Sequence, residues 1–297
     1  MNSKRSFFVI LLAASVVVFS GCVEFGEEET ETGRGLVITS FDAVPGEVFS
    51  GDSFDLLLDV QNVGDRTAEN VVANITQKGG ASEDNSGFTG DTDLDPPTED
   101  FEGEIHTFDA EMNAPTISVG PEDVRLKGRV NYEYTTDARV LLPIIEKDEY
   151  MRRARADEEI PDMGVSRVSK GPFTVSIDGE SPARIEEEEG DVDVRFSIEG
   201  NNIGSGVPYN TEGHPNPGSD DINEMEVDVD LGDNMEWGEH DDCSDDSVPV
   251  RGGDDFQVIC RAEYNGAEDF DEVPIDVTLN YGYYIDSETS VRVLEEI

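Results

Sequence analysis

Apolar and polar residues alternate along most of the chain. Between Asp123 and Tyr134, Val124, Leu126, Val130, Tyr132 and Tyr134 are interleaved with Asp123, Arg125, Lys127, Arg129, Asn131 and Glu133. A period of two puts one face of a strand in a core and the other in water. The same pattern recurs in Phe54, Leu56, Leu58 and Val60; in Val192, Val194, Phe196 and Ile198; in Met225, Val227, Val229 and Leu231; and in Val273, Ile275, Val277, Leu279 and Tyr281. Clusters of Gly, Asp, Asn and Pro separate these runs, which predicts an all-β chain of antiparallel sheets, most simply sandwiches. One stretch departs from the pattern. From about Ile145 to Glu158, Glu146, Asp148 and Glu149 come first and Arg152, Arg153 and Arg155 last, which suits a helix macrodipole, and Glu149 and Arg153 form an i,i+4 pair.

The pattern occurs twice. Val124 to Asp137 aligns with Val273 to Asp286 at a constant offset of 149, matching Asn131, Tyr132, Tyr134 and Asp137 to Asn280, Tyr281, Tyr283 and Asp286. Upstream, Gly51-Asp52 and Asn62-Val63-Gly64 are echoed by Gly190-Asp191 and Asn202-Ile203-Gly204 at offsets of 139 and 140. The extra residue in the second copy predicts a β-bulge. Matched positions of this kind indicate a duplicated unit. The expected organisation is a first sandwich over 35–145, a helical linker over 146–170 and a second sandwich over 171–297.

The segment Asn62-Val63-Gly64-Asp65-Arg66-Thr67-Ala68-Glu69-Asn70-Val71 joins an Asn-x-Gly turn to a strand carrying Ala-x-Asn-Val. It resembles the immunoglobulin-like, cell-adhesion-related (CARDB-type) domains of bacteria and similar modules of archaeal surface proteins. Its physics is turn chemistry, because Asn and Gly tolerate positive φ where a chain reverses. The resemblance covers roughly 80 residues of the first unit and extends more weakly to the second. It implies tandem immunoglobulin-like sandwiches in a non-catalytic extracellular module for adhesion, spacing or envelope assembly. The second unit departs from the pattern by a long insertion, Ser205 to Asp221.

Charge narrows the partners. With 69 Asp and Glu against 20 Lys and Arg, the chain carries −49, which argues against a nucleic-acid partner, since Lys and Arg are what displace counterions from phosphate. Attraction to anionic lipid surfaces is disfavoured for the same reason. Only five of the 20 cations are Lys. Such a surface repels itself in dilute buffer, whereas molar salt shrinks the Debye length to about 3 Å. The composition resembles that of proteins from salt-loving archaea; an acidic, cation-binding mesophile protein is the alternative.

The N-terminal residues predict an address. Lys4 and Arg5 precede an apolar stretch from Phe7 to Phe19, and Ser20-Gly21 leads into Cys22. This arrangement resembles a lipoprotein signal, although Phe19 stands where the lipobox usually has Leu. Its 13 residues, all apolar except Ser15, fall short of the ~20 a spanning helix needs. Residues 1–21 are expected to be a cleaved signal, Cys22 the lipidation site and 22–34 an acidic flexible stalk, with an uncleaved anchor as the alternative. The expected location is the extracellular face of the cell membrane. That leaves Cys243 and Cys260 as an even pair in an oxidising compartment, expected to be bridged.

Candidate chemistry is sparse. His106, His214 and His240 accompany no HExxH motif or nucleophile elbow, and no cofactor or enzymatic role is expected. Asp91, Asp93 and Asp95 have the opening spacing of a Ca²⁺ loop, but Pro96 stands where the turn requires Gly, so they are weak metal candidates. Asn74-Ile75-Thr76 is a sequon, making Asn74 a candidate glycosylation site. Arg152, Arg153 and Arg155 form the one basic cluster along the chain after the signal; they either contact an acidic protein or glycan or neutralise the chain's own carboxylates. Together these features lead to the expectation of a lipid-anchored surface protein for adhesion or envelope organisation. An accessory subunit of a secretion, pilus or surface-layer assembly is the alternative, and an extracellular hydrolase or solute-binding protein stands further off.

Overall fold

The alternation along the chain becomes antiparallel strands in a computed structural model of the protein, which describes residues 34–84, 87–185, 192–211, 221–238, 243, 245–266 and 269–295. The first half contains β1 (Leu36–Val44), β2 (Glu47–Phe49), β3 (Ser53–Asn62), β4 (Ala68–Gln77), β5 (Ser82–Glu83), β6 (Thr92–Leu94), β7 (Ile105–Asn113) and β8 (Glu122–Glu146). Helix α1 (Lys147–Ala156) follows. The second half contains β9 (Gly164–Val168), β10 (Phe173–Gly179), β11 (Ala183–Ile185), β12 (Val192–Asn202), β13 (Val207–Tyr209), β14 (Glu224–Leu231), β15 (Met235–Trp237), β16 (Asp245–Pro249), β17 (Asp255–Tyr264) and β18 (Phe270–Leu294).

Two four-stranded sheets, ordered β1-β3-β7-β5 and β10-β12-β17-β15, pack on a ten-stranded sheet whose main path is β16-β14-β18-β8-β4-β6. Strand periodicity decides what meets across the gap. Phe54, Leu56, Leu58 and Val60 of β3 point inward with Val124, Leu126 and Val130 of β8, and all are buried. A side chain at Gly128 would collide with Leu58 at 2.8 Å, so glycine there permits the close approach. In the second half Val194, Phe196 and Ile198 share the core with Val273, Ile275, Val277 and Leu279. Burying such aliphatic and aromatic side chains contributes roughly 1.5–3 kcal/mol each before entropy is counted.

Strands β8 and β18 each run to 25 residues, and this ties the halves together. They pair antiparallel from Phe270↔Ile145 to Val293↔Glu122 without a register break. The end of β18 therefore lies in the first half, where Arg292–Leu294 pairs with β2. Reciprocally, the end of β8 lies in the second half, where it pairs with β9 and β11. Both halves belong to one hydrophobic cluster and one compact unit, residues 31–297.

The repeat offset and the register of this ladder coincide at one place. Position 133 maps onto 282 by the repeat, and Glu133 also pairs with Gly282 in the ladder. A pseudo-twofold axis therefore passes through that pair, bringing Tyr132 opposite Tyr283 and Tyr134 opposite Tyr281. The four rings form one cluster, with centroids 5.8 Å apart for Tyr132–Tyr283 and 6.3 Å for Tyr134–Tyr281. Each buried hydroxyl has a partner, as burial requires. Tyr132 accepts from the Leu36 N–H at 3.3 Å and Tyr134 from the Arg66 N–H at 3.1 Å. Tyr281 shares a 2.7 Å bond with Thr136, and Tyr283 accepts from the Gly206 N–H at 2.9 Å.

The Asn-x-Gly turns are built alike. Asn62 donates to the carbonyls of Arg66 and Leu94, both at 2.8 Å, and accepts from the Gly64 N–H at 2.9 Å. Asn202 donates to Gly206 at 3.1 Å and Gly253 at 2.8 Å, and accepts from the Gly204 N–H at 3.0 Å. The extra residue of the second copy makes no bulge within β12, because its ladder with β17 is unbroken from Val192 to Asn201. A bulge does occur in β4, between Glu69 and Val72, where Asn70 adopts φ 52°, a conformation Asn tolerates better than most residues.

Helix α1 is shorter than the sequence predicts. Ile144 and Ile145 are fully buried in β8, so the helix begins only at Lys147. It buries no residue and ends at Asp157, whose φ of 56° lets its N–H bond the Arg153 carbonyl, a left-handed C-cap.

Candidate functional site

Along β8, even-numbered residues face the core and odd-numbered ones face outward. One edge of β8 is taken by β18. On the other, β4 pairs only as far as Glu69↔Glu133, and β9 begins at Ala138↔Val168. The gap between them is bridged by loops. The Asp65 N–H donates to the Lys170 carbonyl at 2.9 Å, the Lys170 N–H to Asp65 Oδ2 at 3.0 Å, and Tyr134 Oη to the Lys170 carbonyl at 2.9 Å. Over this gap lies a cleft of about 620 Å³ whose wall includes Arg66, Glu69, Glu133, Thr135, Thr211 and Asn280. A neighbouring cavity of about 250 Å³ shares Arg66 and Asp137 with it and adds Arg139, Arg167 and Asp276.

The charges in these cavities are unevenly matched. Arg66 pairs with Asp137. Arg139 holds Asp276 through two 2.6 Å bonds, Nε to Oδ1 and NH2 to Oδ2. These bonds lower the carboxyl of Asp276 and raise the guanidinium of Arg139 from their ordinary values. Arg167 stands directly across from Arg139 in the β8–β9 ladder. It is exposed, and among the described residues no hydrogen bond or ion pair engages its guanidinium. At the other end Glu69 and Glu133 face each other in register, a like-charge pair that strand pairing does not favour. Tyr209 is buried over Gly282; burial, and then the charge of Glu133, push its hydroxyl well above the ordinary value. Thr135 donates to Asn280 Oδ1 at 3.1 Å. The surface thus offers guanidinium forks, carboxylates, hydroxyls and an amide, a set suited to polar recognition.

The residues singled out from sequence are spread over the molecule. Arg152 bonds Glu149 at 2.6 and 2.7 Å and Glu158 at 3.0 Å, and Arg153 bonds Glu149 at 2.7 Å. Hydrogen bonds from Arg152 and then Arg153 hold the Glu149 carboxyl down at about 2. Arg153 also stacks over the Phe270 ring, 4.4 Å from its centroid. Two of the three helix arginines are therefore engaged within the protein, while Arg155 is exposed. Asn74 is half-buried in β4 opposite Arg129. Asp93 accepts from the Asn70 N–H at 2.9 Å and Asp95 from Thr67 at 3.1 Å, so both pin the β4–β6 edge, while Asp91 is exposed. Among the described residues no group of three His, Cys, Asp or Glu converges as a metal site. His106 packs edge-on against Phe108, with centroids 4.6 Å apart. His214 and His240 lie outside the described residues.

Cys243 and Cys260 are disulfide-bonded, with Cα atoms 5.2 Å apart. Cys260 lies on β17 opposite Phe196. Cys22, the signal (1–21) and nearly all of the stalk (22–34) lie outside the described residues. Among the described residues no helix is long and apolar enough to cross a membrane. The Arg66, Arg139 and Arg167 cluster has no sequence signature, since only the register of β8 with β9 and the loop before β4 bring it together. Comparison with known proteins found no matching family model and no significant match among curated proteins.

Proposed function

We propose that this chain is a non-catalytic, lipid-anchored protein of the outer cell surface of a halophilic archaeon, acting in adhesion or envelope organisation through tandem immunoglobulin-like sandwiches. In this reading Cys22 carries the lipid, the acidic stretch behind it serves as a tether, and α1 belongs to the linker between the sandwiches. The observation that supports it is the ladder between β8 and β18. By fusing the halves across one core, it makes a rigid presenting surface, and a rigid surface binds at lower entropic cost than two modules on a hinge. The partner is an extracellular protein or glycan.

The test is done on intact cells kept in molar salt. Protease shaving should release fragments of 34–295, and the mass of the membrane-bound form should correspond to a chain beginning at lipid-modified Cys22. Retention of residues 1–21 together with protection inside the cell would overturn the proposal. Cross-linking then separates the two roles: contact with neighbouring cells supports adhesion, whereas capture in one stable envelope complex assigns an accessory subunit.

A further inference from the structure

We propose that the cleft beside β8 binds an acidic saccharide, meaning a hydroxylated sugar bearing one carboxylate or sulfate at its end. The oxyanion end is set by Arg167. Arg139 and Arg167 are direct cross-strand neighbours, and two like charges in that position repel. Arg139 is neutralised by Asp276 and Arg66 by Asp137, while the exposed Arg167 has no such partner among the described residues. In a chain with 69 carboxylates, a guanidinium without a counter-charge beside a second guanidinium is a place for an external anion. Its planar fork matches a carboxylate or sulfate.

The rest of the cleft determines what carries that anion. The cavity at Arg167 adjoins the larger space lined by Glu133, Thr135, Thr211 and Asn280, with the Arg66–Asp137 pair as their common wall. Carboxylate, hydroxyl and amide groups complement ring hydroxyls, which both donate and accept. Glu69 and Glu133 at the far end repel a second negative charge, which disfavours a polyanion or a strongly acidic peptide. A ligand with one charged end and a neutral polyhydroxyl body satisfies both halves of the cleft. The class of ligand rests on the surface role proposed above, but binding is a property of the purified protein.

The test is titration calorimetry on the purified full chain in molar KCl. The probes are a uronate-terminated disaccharide, a disaccharide with one sulfate ester, the corresponding neutral disaccharide, and inorganic sulfate. At least one acidic disaccharide should bind about tenfold more tightly than the neutral one, as expected for one charge-assisted contact, and comparison of the two shows which oxyanion is preferred. Arg167→Gln should remove that advantage with the melting temperature unchanged, and Arg167→Lys should restore only part of it. Thr135→Val should weaken the saccharide severalfold while leaving inorganic sulfate unaffected. Equal binding of neutral and acidic sugars, binding unchanged in Arg167→Gln, or inorganic sulfate matching the saccharides would each overturn the proposal. Failure here leaves the cell-surface reading standing, and an intracellular location would leave a positive titration intact.

Discussion

The two halves share an internal skeleton and differ in what covers it. In both, an Asn side chain closes a turn with three hydrogen bonds, and a Tyr-x-Tyr pair has both hydroxyls hydrogen-bonded, to backbone for Tyr132, Tyr134 and Tyr283 and to Thr136 for Tyr281. On the outer face the resemblance stops. The first half places Glu69 beside Glu133, whereas the second places Tyr209 over Gly282. Only the second half carries the disulfide among the described residues. Positions that satisfy buried polar groups are thus held in common, and the water-facing positions around the same axis are free to take on different chemistry.

The sharpest test of this division is the Asn pair. Asn62→Ala strands two carbonyls and an N–H around a fully buried site and should cost about 4 kcal/mol. Asn202, partly exposed, should cost about 2 kcal/mol as alanine because water reaches part of the turn. Chemical denaturation in high salt measures both, and equal costs would break the asymmetry. Next, reducing Cys243–Cys260, which closes a separation of 17 residues, should cost about 3 kcal/mol. Hydrogen exchange should register that loss first in β17 and β12 and only later in the first half.

The axis position itself comes third. A side chain at Gly282 would meet the Tyr209 ring at 2.1 Å, so Gly282→Val should cost about 2 to 3 kcal/mol by overpacking. At the repeat-equivalent position, Glu133→Gly should cost only about 1 kcal/mol, mostly backbone entropy. Thermal melts would show whether the two substitutions differ in this direction.

The smallest effect concerns alkali. Burial raises the Tyr134 hydroxyl to about 12 and raises Tyr283 as well. An unfolded tyrosine ionises near 10, so the unfolded chain loses its proton first. The contribution of each tyrosine is therefore intact below about pH 10 and is lost as the pH climbs through the folded value, near 12 for Tyr134. Tyr134→Phe and Tyr283→Phe should each cost about 1 kcal/mol at neutral pH and flatten the alkaline decline alike. A flattening in only one of them would show that the two skeletons are not equivalent.

Much of the architecture was legible in the sequence because half-buried strands carry their period openly. The run Leu141 to Ile145 shows where legibility ended. Leu142, Pro143, Ile144 and Ile145 are all buried, and a segment covered on both faces has no alternation to read. The 25-residue reach of β8 was hidden for that reason, and with it the crossing of each long strand into the opposite half. The repeat was visible, but its symmetry axis was not, since that also requires the register of β8 against β18. The basic residues behave in a parallel way. Arg152 and Arg153 stand out in the chain yet spend their charge on Glu149 and Glu158, while Arg66, Arg139 and Arg167 are far apart in sequence and converge in space.

An axis running through Glu133 and Gly282 has one more consequence. In a dimer of identical subunits, whatever residue sits on the dyad must confront its own copy, so a glutamate there would face a glutamate. Joining both subunits in a single polypeptide lifts that restriction: one copy can keep the acid and the other give up its side chain, and the vacated space admits an aromatic ring from one side only. Covalent linkage thereby turns the most constrained point of a symmetric assembly into its most adaptable one.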